Sequence, residues 1–91
     1  MTVWIVGVAD CESNSISAVC ATKEIAEREL FKERDKLVAG WKKMDEFCKR
    51  NNDLDDMYQK MIFALSKNDY EKWNNSPHEK PYLYEVKVID V

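Results

Sequence analysis

The sequence predicts a single α+β domain with the element order β-β-α-α-β. Three observations carry that prediction. A continuous β-branched and aromatic run opens the chain, a long stretch with helical apolar spacing fills its middle, and an alternating segment closes it. At 91 residues the chain has the length of one domain. It exceeds the roughly 70–80 residues below which a lone core usually needs a disulfide or metal staple.

Val3, Trp4, Ile5, Val6, Gly7, Val8 and Ala9 form the opening run. A strand without polar alternation is expected to be covered on both faces and central in its sheet. Residues 10–14 are polar and short enough to be a hairpin turn. Residues 15–21 read as a second strand, with Ile16, Ala18 and Cys20 sharing a face.

Thr22 follows as a helix N-cap, because its hydroxyl can accept an orphan backbone N–H of the first turn. Glu24 and Glu27 suit the positive end of the helix dipole. From Lys23 to about Arg50 only Gly40 interrupts the helical pattern. Ala26, Leu30, Leu37, Trp41, Met44 and Cys48 line one face. Glu24–Arg28, Asp45–Lys49 and Glu46–Arg50 are opposite charges at four apart. Such a helix would be roughly 42 Å long at 1.5 Å per residue, against about 20 Å for a six-residue strand. It must overhang the sheet or bend near Gly40.

Asn51 and Asn52 break the helix, and Asn52 is a plausible cap for a second one. Leu54, Met57, Tyr58, Met61, Ile62 and Leu65 follow the cleanest amphipathic spacing in the chain. They predict an antiparallel partner for the distal half of the first helix. Residues 68–74 could add a short third helix carrying Tyr70 and Trp73. Residues 74–77 and Pro81 mark a loop. Residues 82–91 read as the last strand, with Tyr82, Tyr84, Val86 and Val88 on one face and Leu83, Glu85, Lys87, Ile89 and Val91 on the other.

Two segments carry a resemblance. The helix entry Thr22-Lys23-Glu24-Ile25-Ala26-Glu27 and the closing Tyr84-Glu85-Val86-Lys87-Val88-Ile89-Asp90 are similar to those of small bacteriophage-type accessory proteins. The resemblance implies a three-stranded, mainly antiparallel sheet in the order 2-1-3, with the helical hairpin on one face. It implies no catalytic residue.

Composition narrows the function classes. Seventeen acids against fourteen bases give a net charge of −3, with no strongly one-signed segment. Nucleic-acid binding normally needs a basic stripe, and Lys42, Lys43, Lys49 and Arg50 are interleaved with Asp45 and Glu46 at a helix C-terminus that favours cations anyway. Three cysteines (Cys11, Cys20 and Cys48) without paired spacing point to a reducing compartment. The opening run lacks the basic flank of a signal peptide, and nothing approaches a membrane span. The expected location is the cytoplasm.

Sites for chemistry are scarce. His78 is the sole histidine, and a nucleophile–base pair would have to be made with Cys11 across two loops. The cysteines lack zinc-ligand spacing. Asp53, Asp55 and Asp56 lack the glycine and distal glutamate of a calcium loop and suit a helix start. The two glycines form no phosphate loop. No cofactor, metal or enzymatic activity is expected.

Aromatic residues are the more informative class. Helices can cover one sheet face only, so either Val3, Ile5 and Ala9 or Trp4, Val6 and Val8 should face away from them. Trp4, Val6, Val8, Tyr82, Tyr84 and Trp73 are the candidate interface residues, since exposed apolar patches and aromatic anchors mark binding surfaces. The leading expectation is a protein-binding module that modulates a host factor, with a second copy of the chain as another candidate partner. The alternatives are a nucleotide-like ligand held near His78, Lys80 and Tyr82, and a small enzyme using Cys11 or His78.

Overall fold

The computed structural model describes residues 1–10, 12–52, 56–75 and 79–89. Cys11, His78, Leu54 and the 53–55 acids lie outside them, as do Asp90 and Val91. The elements are β1 (Thr2–Ala9), β2 (Asn14–Cys20), α1 (Lys23–Arg50), α2 (Met57–Leu65), a 3-10 turn η1 (Tyr70–Asn75) and β3 (Lys80–Lys87). The three strands form one antiparallel sheet in the order β2-β1-β3. The architecture is therefore the expected α+β one, with β1 central.

Local chemistry sets the boundaries. Asp10 closes the β1–β2 turn by accepting the backbone N–H groups of Glu12 (2.8 Å) and Ser13 (2.6 Å) on one carboxylate oxygen. Those two bonds favour the charged form and hold the Asp10 carboxyl below its usual range. Thr22 Oγ1 accepts from the Ile25 N–H at 3.3 Å, so α1 begins where the cap predicts. At the other end Asn52 takes a positive φ of 57°, the left-handed turn that ends a helix. Asn52 therefore terminates α1 and does not cap α2, which begins later, at Met57 behind Asp56.

Helix α1 runs unbroken through Gly40. A Cβ built on Gly40 would meet nothing within 4 Å, and the backbone there has no positive φ. Gly40→Ala is thus expected to stabilise the fold by about 1 kcal/mol through helix propensity alone. The melting temperature should rise by about 4–8 °C. A fall on calorimetry would show that residue 40 needs glycine for a reason outside this fold.

Two stripes of α1 are buried. Ala26 and Leu30 are fully buried with Val6 and Cys20 in one core. Trp4, Ala18 and Leu83 pack against that core from the sheet. The second stripe, Phe31, Arg34, Val38, Trp41 and Asp45, recurs at spacings of three and four. It meets Met61 and Leu65 of α2 and the aromatic residues of η1. Arg34 Nη1 donates to the carbonyl of Leu65 (3.1 Å) at the end of α2. Since the chain leaves α1 at Arg50 and α2 ends beside Arg34, α2 runs back along α1.

Arg34 also joins η1 to this pair. Nη1 donates to Asn68 Oδ1 at 3.0 Å, and the guanidinium lies 5.3 Å from the Phe31 ring and 5.6 Å from the Trp73 ring. Phe31, Tyr70 and Trp73 meet one another edge-to-face at 6.1–6.3 Å. Asp45, buried on the distal stripe, pairs with Lys49 at 3.0 Å. Met44, expected on the buried face, is 45% exposed instead, because the helical stripe at that point passes through residue 45.

The long helix makes the molecule elongated. Its extents are 59 × 25 × 19 Å and its radius of gyration is 15.3 Å, against about 12 Å for a spherical domain of this length. Thus α1 overhangs the sheet as one continuous helix through Gly40, and α2 covers the overhang.

Candidate functional site

Strand pairing decides which face of the sheet is open. Trp4, Val6 and Val8 stand opposite Glu85, Leu83 and Pro81 on β3. Val6 is fully buried and Leu83 packs on the helical core. This is therefore the face that α1 covers. Val3, Ile5, Gly7 and Ala9 form the outer face, opposite Val86, Tyr84, Tyr82 and Lys80.

A bulge adds β2 to that outer face. Val6 pairs with Ala18 but Gly7 pairs with Ile16, so Ser17 is left over on β2. One extra residue reverses the alternation. Ala18 and Cys20 point to the core, while Ile16 stands beside Val19 on the outer face. The expectation that Ile16 shares a face with Ala18 and Cys20 is corrected by this bulge. Ile16 is 60% exposed and Val19 is 63% exposed.

Gly7 permits a second contact across the face. A Cβ at Gly7 would collide with the Tyr82 hydroxyl and the Ser15 carbonyl. Without one, the Tyr82 side chain lies over β1, and its hydroxyl donates to Asn14 Oδ1 on β2. Tyr84 stacks on Tyr82 with ring centroids 5.6 Å apart and planes at 17°. One end of the outer face is thus floored by two ordered rings.

The outer face is apolar from Gly7 to the end of β3. Val3, Ile5, Ile16, Val19, Tyr84 and Val86 span all three strands, and Lys80 is the one charge that pairing places on this face. Antiparallel sheets with one covered face ordinarily turn polar residues to solvent. Here no described element lies over the second face: α1 packs on the other side, and α2 packs on α1.

The candidate interface residues therefore divide. Tyr82 and Tyr84 are on the open face. Trp4 and Val8 lie on the covered face, half-buried. Val6 and Trp73 are buried in the core and offer no surface, which removes them from the candidate interface. Trp73 is held by its indole N–H, which donates to the Lys67 carbonyl at 2.9 Å. Val3, Ile5, Ile16, Val19 and Val86 take their place. The signal that could have found this arrangement is Gly7 itself. An isolated glycine inside a strand marks a bulge or a close approach, and the structure has both.

A cavity of about 350 Å³ lies on the helical side, beside β3. Trp4, Leu30, Tyr70, Pro81 and Leu83 line it together with Lys23, Glu71 and Glu85. The Tyr70 hydroxyl donates to Glu27 Oε1 at 3.1 Å. Burial, then that bond and the Glu27 charge, push the Tyr70 phenol up from its ordinary value. One base with two acids does not make the convergent positive pocket that anion binding needs. Lys80 is on the outer face, away from this cavity's lining.

Among the described residues no three His, Cys, Asp or Glu side chains gather as a metal site, and no helix is long and apolar enough to cross a membrane. Comparison with protein-family models, curated proteins and solved structures finds no match for this chain.

Proposed function

We propose that this chain is a non-enzymatic protein-binding module that engages its partner through the outer face of the sheet. The apolar outer face, with Ile16, Val19 and Tyr84 exposed and Val3, Ile5 and Val86 half-buried, carries that reading. Burying it would contribute at about 25 cal/mol per Å² of apolar surface. The stacked Tyr82 and Tyr84 rings supply rigid aromatic anchors of the kind that dominate interface energetics. The resemblance of the two chain ends to phage-type accessory proteins supports a host factor as the partner, to be modulated by binding.

The test uses charges placed on the face. Ile16→Lys with Val19→Lys alters two exposed side chains and should leave stability within about 0.5 kcal/mol per site. Partners captured by the wild-type chain from host lysate are identified by mass spectrometry, purified and titrated by calorimetry. The double variant is expected to bind at least tenfold more weakly than wild type. Equal affinity with an intact fold would remove the outer face from the proposal.

A further inference from the structure

Strand β3 is an edge of the sheet, and among the described residues no strand pairs with its outer side, which presents backbone in a definite pattern. The Val88 N–H donates to the Met1 carbonyl at 2.8 Å. Hydrogen-bonded pairs recur every second residue in an antiparallel ladder. Val3 with Val86, Ile5 with Tyr84 and Gly7 with Tyr82 are therefore the bonded pairs. The N–H and C=O groups of Leu83, Glu85 and Lys87 consequently point away from β1, along the open edge. Pro81 has the same parity, and a proline belongs where no ladder N–H is required.

The two sheet edges differ. Strand β2 is interrupted by the bulge at Ser17, a device that blunts an edge against further pairing. Strand β3 pairs in unbroken register over all eight of its residues. Pro81 at its start is fully buried, whereas Tyr84, Glu85 and Lys87 are exposed, so the accessible stretch of this edge is the second half of the strand.

We infer that β3 pairs antiparallel with β3 of a second copy of this chain, about a two-fold axis at Tyr84, to give one continuous six-stranded sheet. The register follows from the side chains. With Tyr84 opposite Tyr84 of the second copy, Leu83 and Glu85 exchange both backbone bonds with Glu85 and Leu83 across the axis. On the outer face Tyr82 meets Val86, an aromatic–β-branched pair that sheets favour. Moving the axis to Glu85 would set two carboxylates directly opposite, which is destabilising.

Area gives the pairing a purpose. Three strands about 4.8 Å apart and seven residues long at about 3.3 Å each make an outer face of roughly 300 Å² in projection. A standard interface takes about 800 Å² per partner. The two-fold sets both outer faces on the same side of the six-stranded sheet and doubles the apolar surface.

The full chain tests this in three forms by sedimentation velocity from about 1 µM to 1 mM. Wild type is expected at twice the 10.7 kDa chain mass, and Glu85→Pro at the single mass with unchanged circular dichroism. Proline removes one edge N–H and is tolerated on edge strands. Should Glu85→Pro fail to fold, two cysteine variants decide. Tyr84→Cys faces itself across a non-bonded pair, where Cα atoms are about 4.5 Å apart, and should oxidise to an 84–84 disulfide found by peptide mapping. Val86→Cys would be about 13 Å from its counterpart in this register and should not link. A monomer at every concentration, a dimer surviving in folded Glu85→Pro, or equal linkage at 84 and 86 would overturn the inference. The edge contact is independent of the outer-face reading. Ile16→Lys with Val19→Lys should leave the dimer intact, and its dissociation would instead show copies meeting face to face.

Discussion

Trp73→Ala is expected to lower the unfolding free energy by about 3–5 kcal/mol, the usual cost of deleting a buried large aromatic. Against a typical total of 5–15 kcal/mol, that loss would leave a marginal fold. Trp73 is 1% exposed and anchors η1 against both helices. Its removal takes away edge contacts with Phe31 and Tyr70 and one of the two rings under the Arg34 guanidinium. The Lys67 carbonyl loses its donor as well. Arg34 would then hold α2 and Asn68 with a less-packed side chain, so the damage should spread to the helical hairpin. Urea unfolding followed by far-ultraviolet circular dichroism measures the loss without relying on the deleted fluorophore. A cost under about 1 kcal/mol would show that η1 is a loose appendage and that this cluster does not organise the fold.

Much of this architecture is legible in the residues, and the exceptions share a cause. The Thr22 cap, the Asn51–Asn52 stop and the alternation from Tyr82 to Val86 each state a local rule that tertiary packing obeys. The long helix is legible too, because a lone glycine at an exposed position costs too little to break it. What is not legible depends on partners distant in sequence. Arg34 and Asp45 sit on the buried stripe, yet a pattern of apolar residues skips them because they are charged. The carbonyl of Leu65, the Asn68 side chain and the rings of Phe31 and Trp73 account for the burial of Arg34, whereas Asp45 is buried beside the Lys49 that the four-residue spacing already pairs with it. Trp73 reads as a surface anchor until Lys67 and Arg34 are placed around it. Strand β3 starts at Lys80, ahead of the expected Tyr82, because Pro81 can join an edge strand whose outward N–H is dispensable. The outer face was half visible: Tyr82 and Tyr84 follow from period two. Ile16 does not, since one bulged residue turns it over.

Gly7→Ala should be the most damaging single-methyl change on the outer face. The added Cβ would overlap both the Tyr82 hydroxyl and the Ser15 carbonyl oxygen. A flexible ring can swing away, but a backbone carbonyl in a paired strand cannot move without opening the β1–β2 ladder. Overpacking of this kind typically costs about 1–3 kcal/mol, and the backbone clash places Gly7→Ala toward the upper end. The two obstacles can be separated by a cycle with Tyr82→Ala. If Tyr82 were the sole obstacle, Gly7→Ala would cost nothing once the ring is gone. The Ser15 carbonyl predicts that the double variant recovers only part of the loss in urea unfolding. The same substitution also displaces Tyr82 from Asn14 and breaks its stack on Tyr84. Partner affinity should therefore fall further than that of Tyr82→Phe, which keeps the ring and removes only the hydroxyl. Gly7→Ala within about 0.5 kcal/mol of wild type would mean that the strand can shift freely there. The ordered tyrosine pair could then no longer be regarded as a preformed part of the binding face.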